Sequence, residues 1–306
     1  MKFYIIIPAH NESKTISFTL KSLVNQTLLP KKIVVVNDNS GDDTEKIVSK
    51  FCNKYKWIKI VNKASSPKHT PGEKIINAFY EGYTSLDDQY DVICKFDADL
   101  IFDSNYIKKI SEHFQGNDRL GIVGGICYLK KEGRWVPENK YGHDHIRGAI
   151  KSYRKDCFVE IGKIKKSIGW DTIDEFLAKY YSWDILVDAE LKVKHLRQTG
   201  ERYDSESEKL QGVACYKMRL GVILTLLSGI KSAINKGSFS TIKSYLTGYF
   251  IAKSKKMSFL VDQKQGRFIK KRRWKGIFKS FFKSGTLSFF DKKQFKDEHI
   301  NIRRRR

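Results

Sequence analysis

The sequence has little of what would mark a disulfide-stapled, repetitive or membrane-spanning protein. Its five cysteines, Cys52, Cys94, Cys127, Cys157 and Cys215, are odd in number and widely spaced. They contain no C-x-x-C zinc or redox motif and read as free thiols of a reducing cytosol. Prolines number only five, and no Pro-, Ser- or Gln-rich tract or repeat period occurs, which excludes low-complexity and solenoid architectures. The uncharged stretch Leu220-Gly221-Val222-Ile223-Leu224-Thr225-Leu226-Leu227-Ser228-Gly229-Ile230 is eleven residues long, against the roughly 20 needed to cross a bilayer. The opening apolar run ends at Pro8 without a small-residue cleavage site, so it reads as a buried first strand rather than a signal peptide. No GxGxxG follows that strand, which argues against a dinucleotide-dependent enzyme.

What is present is a foldable chain of 306 residues, 41% hydrophobic and 13% aromatic, with net charge +24. The charge is unevenly spread. Residues 205–306 hold 25 Lys and Arg against 6 Asp and Glu, a net of +19, which leaves +5 for the first two thirds. The basic character therefore belongs to the C-terminal third.

Along the first two thirds, apolar strands alternate with amphipathic helices. Ile5-Ile6-Ile7 precedes a helix over 15–25 in which Ile16, Leu20, Leu23 and Val24 recur at helical spacing. Ile33-Val34-Val35-Val36, a helix over 43–55, a strand over 58–61, a helix over 73–85 and a strand over 91–96 follow. This pattern predicts a mostly parallel α/β sheet with helices on both faces. In such sheets ligands bind at the carboxyl ends of the strands. Asn11-Glu12, Asp38 and Asp97-Ala98-Asp99 all follow strand ends. Two carboxylates one residue apart on a turn can face one hard cation, Mn²⁺ or Mg²⁺, and that cation can bridge a diphosphate.

Three ordered motifs, Ile-Ile-Ile-Pro-Ala-His-Asn-Glu (5–12), Val-Val-Val-Asn-Asp-Asn-Ser-Gly-Asp-Asp-Thr (34–44) and Lys-Phe-Asp-Ala-Asp (95–99), together resemble the family 2 glycosyltransferases of the GT-A fold. The resemblance covers roughly residues 3–200. It implies that Pro8, Ala9, Asn11 and Glu12 form the first nucleotide loop. Asp38 falls on the aspartate that hydrogen-bonds the base, although Asn37 stands where the family usually has another aspartate. Asp42 matches a later aspartate of that loop, with turn formation or helix capping as its other role. Lys74 falls where a basic residue often lies near phosphate, with surface solvation as the alternative. Ala98 lies between the metal-binding aspartates Asp97 and Asp99.

Gly169-Trp170-Asp171-Thr172-Ile173-Asp174-Glu175 looks like the family's acidic motif, and particularly like a bacterial subgroup with Gly-Trp-Asp-x-Ile-Asp-Glu. An inverting transfer needs a general base, and Asp171, Asp174 and Glu175 are the candidates, Asp171 favoured. His195 matches a histidine that ligates the metal or contacts the diphosphate. Gly124-Gly125 would let backbone approach donor or acceptor, or form a simple turn. His10, His69, His143 and His145 show no ligand spacing and are expected in loops or at the surface.

The expected organisation is a GT-A domain over 1–205 and a basic, partly apolar helical extension over 206–306. Lys and Arg interleaved with Phe and Trp suit an anionic membrane surface, as expected of a cytoplasmic protein peripheral on the inner face of the membrane. No RNA-recognition or zinc-finger pattern supports nucleic acid as a partner. The resemblance implies a metal-dependent inverting glycosyltransferase that uses a UDP- or GDP-sugar and a glycan or lipid-linked acceptor of cell-surface polysaccharide. The rivals are a polyprenyl-phosphate glycosyltransferase and a non-catalytic nucleic-acid or anionic-surface binder.

Overall fold

A computed structural model of the protein describes residues 1–65, 72–138, 145–197 and 205–283. Expectations for His69 and His143 lie outside these residues. The first half runs β1 (Phe3–Ala9), α1 (Ile16–Val24), β2 (Lys32–Asp38), α2 (Thr44–Lys54), β3 (Ile58–Lys63), α3 (Glu73–Thr84) and β4 (Val92–Phe96). There follow β5 (Leu100–Phe102), α4 (Tyr106–Gly116), β6 (Leu120–Lys131), β7 (Arg134–Pro137), β8 (Ile150–Arg154), α5 (Lys155–Glu160), α6 (Trp170–Tyr180) and β9 (Asp184–His195). Four helices complete the described chain: α7 (Ser205–Lys217), α8 (Val222–Lys236), α9 (Ser240–Ser254) and α10 (Gln263–Lys283).

The sheet order is β3-β2-β1-β4-β8-β6-β9-β5, with β7 paired to β6. Strands β1 to β4 are parallel, as their continuous apolar runs require of a sheet covered on both faces. Ile5, Ile6 and Ile7 of β1 and Ile33, Val34, Val35 and Val36 of β2 are fully or almost fully buried. In α1, Ile16, Leu20 and Leu23 face the core, the spacing of an amphipathic stripe. Beyond β4 the pairing becomes mixed: β8 is antiparallel to both β4 and β6, and β5 is antiparallel to β9.

That last pairing sets Leu100 opposite His195, so the turn after β4 lies against the end of β9. Gly124 and Gly125 do not form a turn: both lie inside β6. A Cβ on Gly125 would stand 1.9 Å from the Leu191 carbonyl oxygen, and one on Gly124 would stand 2.4 Å from Ile146. Close strand crossing is what demands glycine there.

Cys52 is half-buried and the other four cysteines are buried, all as free thiols. Among the described residues, no helix is long and apolar enough to cross a membrane. Gly212 and Gly248 let α7 and α9 touch backbone to backbone. A Cβ on Gly212 would lie 2.0 Å from the Tyr245 carbonyl oxygen, and one on Gly248 would lie 1.9 Å from that of Lys209.

Candidate active site

The carboxyl edge of β1, β2 and β4 carries the loops that the sequence singled out. Asn11 and Asn39 both adopt left-handed backbone, φ 55° and 57°, which asparagine tolerates better than most residues. This turns the first loop toward the second. The Asn11 N–H donates to Ser40 Oγ at 3.0 Å, and Asn11 Oδ1 accepts from the Gly41 N–H at 2.8 Å. The ring Nδ1 of His10 lies 2.7 Å from the Asp38 carbonyl oxygen. Asp42 accepts from the Ser13 and Thr44 N–H groups, each at 3.0 Å, so it braces the start of α2. Asp38 is buried at the bottom of this edge, and its Oδ1, like that of Asn37, has no hydrogen-bond partner among the described residues. A buried carboxylate oxygen left open in this way fits a ligand N–H.

The Asp97-Ala98-Asp99 turn is held by its backbone, which leaves both carboxylates to side-chain partners. The Asp97 N–H donates to the Ala149 carbonyl at 3.0 Å, the Thr19 hydroxyl to the Ala98 carbonyl at 2.8 Å, and the Leu196 N–H to the Asp99 carbonyl at 2.9 Å. Asp97 is partly exposed and ion-paired with buried Lys95. Asp99 is buried, with His195 Nε2 at 3.4 Å and Arg197 Nε at 3.1 Å. The second nitrogen of Arg197 reaches Glu12 in the first loop. Burial raises the Glu12 carboxyl, opposed by its bonds with Thr15 and Arg197.

Asp97, Asp99 and His195 offer three ligand atoms within 4.8 Å of one another. Two carboxylates and an imidazole are a suitable donor set for Mn²⁺, and for Mg²⁺ through the carboxylates. His195 Nδ1 lies 3.2 Å from Glu138, the carboxylate–histidine arrangement that orients a metal-binding ring. Burial would lower the His195 pKa, but its bonds to Asp99 and Glu138 outweigh that and raise it to about 9. Cys127, Glu138 and His195 form a second cluster of ligand atoms, yet burial holds the Cys127 thiol protonated.

The acidic motif divides into a cleft-facing group and a buried group. Asp171, whose side chain is 29% exposed, lines a cleft of about 540 Å³ together with Lys95, Asp97, His145, Arg147 and Trp170. Asp174 is fully buried and accepts from Lys151 Nζ at 2.7 Å, the Glu175 N–H at 2.6 Å and the Tyr153 hydroxyl. Burial pushes the Asp174 carboxyl up to about 7 against the Lys151 charge. Every partner donates to it, so the geometry accommodates the ionised form. Glu175 accepts from Lys151 at 3.1 Å and from the Ile146 N–H at 2.9 Å.

His145 lies in a loop, as its sequence reading expected, but it makes contacts that no local spacing announced. It bridges Asp171 at 3.4 Å and Glu175 at 3.1 Å. Burial works against its charge, but these two carboxylates raise its pKa to about 9. Burial would also raise Asp171, yet the His145 bond and the charges of Lys151, His145 and Arg147 bring it down to about 2.

The structure thus brings Asp97, Asp99 and His195 together and puts Asp171 on the same cleft as Asp97. Asp174 and Glu175 stand behind, bonded to buried Lys151. Pro8 and Ala9 close β1, while Lys74 lies in the first turn of α3 and outside the described lining of the cleft. Sequence reasoning missed Arg197, Glu138, His145 and Lys151. Of these only Lys151 left a signal, a charged residue inside the strand pattern Ile-Lys-Ser-Tyr.

Residues 4–165 match the family model described as "Glycosyl transferase family 2". A 127-residue stretch is 43% identical to the probable glycosyltransferase YdaM of Bacillus subtilis, and covers 40% of this chain and 29% of that one. A 123-residue stretch is 30% identical to the poly-β-1,6-N-acetyl-D-glucosamine synthase of Staphylococcus epidermidis, and covers 39% of this chain and 27% of that one. The matched part thus spans under a third of these relatives' length.

Among solved structures, S. aureus TarS 1–349 in complex with UDP-GlcNAc superposes with TM-score 0.53 at 21% identity, over 69% of this chain and 65% of that one. The mannosyltransferase PcManGT from Pyrobaculum calidifontis, in complex with GDP-Man and Mn²⁺, gives 0.52 at 10% identity, over 94% and 83%. At these identities the likeness is one of fold. The chain belongs to glycosyl transferase family 2, on a GT-A fold.

Proposed function

We propose that the protein is a metal-dependent, inverting glycosyltransferase that moves a sugar from a UDP- or GDP-sugar to a hydroxyl of a glycan or lipid-linked acceptor in cell-surface polysaccharide synthesis. One observation carries the reading: Asp97, with Asp99 and His195 as a three-ligand cluster, shares a cleft with Asp171. Names of similar proteins add support, since TarS is described with UDP-GlcNAc and PcManGT with GDP-Man and Mn²⁺.

Asp38, with its open buried oxygen, would accept a hydrogen bond from the base, while the first loop packs beside the nucleoside. Asp97, Asp99 and His195 would hold Mn²⁺ or Mg²⁺, which neutralises charge on a departing diphosphate when bound. Arg197 lies beside these groups, where a guanidinium suits phosphate. Asp171, ionised at neutral pH, takes the proton of the acceptor hydroxyl as that oxygen attacks the anomeric carbon. As the acceptor arrives, its hydroxyl exchanges for the His145 contact. Lys151, Asp174 and Glu175 position the start of α6 and with it Asp171.

The reading includes a GT-A unit over 1–205 and a helical extension over 206–306 that seats the enzyme on the cytoplasmic face of a membrane. Supporting this, Phe239, Ile242, Leu246 and Phe250 form a stripe along an open groove on α9, edged by Lys243 and Lys255. Apolar groups flanked by lysines suit an interface with anionic lipid.

The test is thermal denaturation of the protein with a panel of nucleotide sugars, with and without Mn²⁺. Stabilisation should need both a donor and the cation, and should vanish in Asp99→Ala. A panel in which no donor gives metal-dependent stabilisation overturns the proposal.

A further inference from the structure

The C-terminal helices contribute one wall of the cleft that holds Asp97 and Asp171. Glu208 and Gln211 of α7, Ser232 and Lys236 of α8, and Tyr245 of α9 line it opposite the sheet edge. Three close helix contacts hold this wall in place. Gly212, next to Gln211, meets the Tyr245 backbone. Gly248 meets Lys209, next to Glu208, and a Cβ on Gly229 of α8 would lie 3.3 Å from the Tyr245 Cβ. Such backbone approach leaves little freedom for the side chains it carries. The wall also adjoins the acidic motif, since a Cβ on Gly169 would lie 3.9 Å from Gln211 Oε1, two residues before Asp171.

The chemistry of the wall is mixed rather than cationic. Lys236 Nζ lies 2.8 Å from Glu208 Oε1, which also accepts from the Thr241 hydroxyl at 2.9 Å. Tyr245 is half-buried and lines the wall beside Ser232. A phosphate needs uncompensated positive charge, and on this described wall the lysine is already matched by a carboxylate. A sugar ring needs something else: donors and acceptors side by side for hydroxyls that are both, and an aromatic face for its C–H surface. Glu208, Lys236 and Gln211 supply the first and Tyr245 the second.

We infer that this wall, built by α7, α8 and α9, is a carbohydrate-binding acceptor subsite, in which Tyr245 is the platform and Gln211 and the Lys236–Glu208 pair bind ring hydroxyls. The inference rests on the transferase reading above and narrows it: the group presented to Asp171 is a sugar hydroxyl, not a lipid phosphate.

The experiment is saturation-transfer NMR on the full chain with UDP, Mg²⁺ and a mixture of methyl β-glucoside, methyl β-galactoside and methyl N-acetyl-β-glucosaminide. At least one glycoside should receive saturation on its ring protons. That signal should fall several-fold in Tyr245→Ala and in exposed Lys236→Ala, with the UDP signal kept as a check on folding and on the donor site. Gln211→Ala gives a third, independent reading. Glycoside signals that persist unchanged in all three variants, or that are absent from the native chain while UDP binds, overturn the inference. So does displacement of the glycoside by inorganic phosphate that is itself sensitive to Lys236→Ala. If UDP gives no signal while a glycoside binds through Tyr245, the subsite stands and the transferase reading falls.

Discussion

Nε of Arg197 donates to Oδ2 of Asp99 across 3.1 Å, and the same guanidinium reaches Glu12, 185 residues earlier in the chain. One side chain therefore ties the end of β9 both to the aspartate turn and to the first loop. Its side chain is 47% exposed, so these pairs contribute little to folding in water. Their importance is in charge placement. Arg197→Ala should leave the melting temperature nearly unchanged. It should also weaken nucleotide-sugar binding about tenfold, the loss of roughly one charge-assisted hydrogen bond. Calorimetric titration checks this, and equal affinities in the two proteins would refute it.

Asp171 and Asp174 lie one turn apart on α6 and should respond differently to the same change. Asp171→Asn removes the proposed base from the cleft and should lower turnover about 10²- to 10⁴-fold, with donor binding kept and stability reduced by the loss of its charge beside His145. Asp174→Asn places an amide against Lys151 and Tyr153 in a fully buried site. Breaking a buried pair costs about 3–5 kcal/mol, so this variant should unfold at markedly lower denaturant. Urea melts and transfer rates on both variants decide it. A stable Asp174→Asn protein with an unchanged midpoint would contradict the assignment.

The His145 pair predicts an alkaline stability slope. Its pKa rises from 6.5 to about 9 in the folded protein, driven against burial by Asp171 and Glu175. A raised folded pKa means that the protonated ring stabilises the native state. That contribution is complete below about pH 6.5 and disappears as pH climbs through about 9. Asp171, lowered from 3.8 to about 2, adds a contribution present above about pH 3.8 and lost as pH falls through about 2. Melting curves of His145→Gln between pH 6 and 9.5 should therefore be flatter than those of the native chain. Parallel curves would show that the ring carries no such charge.

The groove on α9 predicts salt-sensitive binding to anionic vesicles. Flotation with phosphatidylglycerol-containing liposomes should recover the native chain at low salt. Recovery should decline for Phe239→Ser with Phe250→Ser, both large side chains exposed at 86% and 48%. Equal recovery with neutral liposomes, or no effect of the double change, would count against a lipid surface.

The alternation of strands and helices over 1–96 was legible because the strands there carry apolar runs, almost unbroken in β1 and β2, and the helices keep one stripe, so local pattern and tertiary position agree. The aspartate turn was legible for the same reason: it sits where an apolar run ends. His145 and Arg197 were not. Their partners lie 26 to 185 residues away, and no local spacing announces such a pair. Lys151 is an intermediate case, a lysine in a strand pattern whose meaning depends on the buried acids it meets.

The order of elements, the location of acidic groups at strand ends and the concentration of positive charge in the last third are thus properties of the sequence, since hydrophobic period and composition act over short distances. Which carboxylate faces the cleft, which histidine meets Asp99 and which helices wall the site were decided by tertiary structure. Pairing β5 with β9 sets His195 against the aspartate turn, and the burial of Asp174 and Glu175 on the inner side of α6 leaves Asp171 as the carboxylate of its motif that meets the open space.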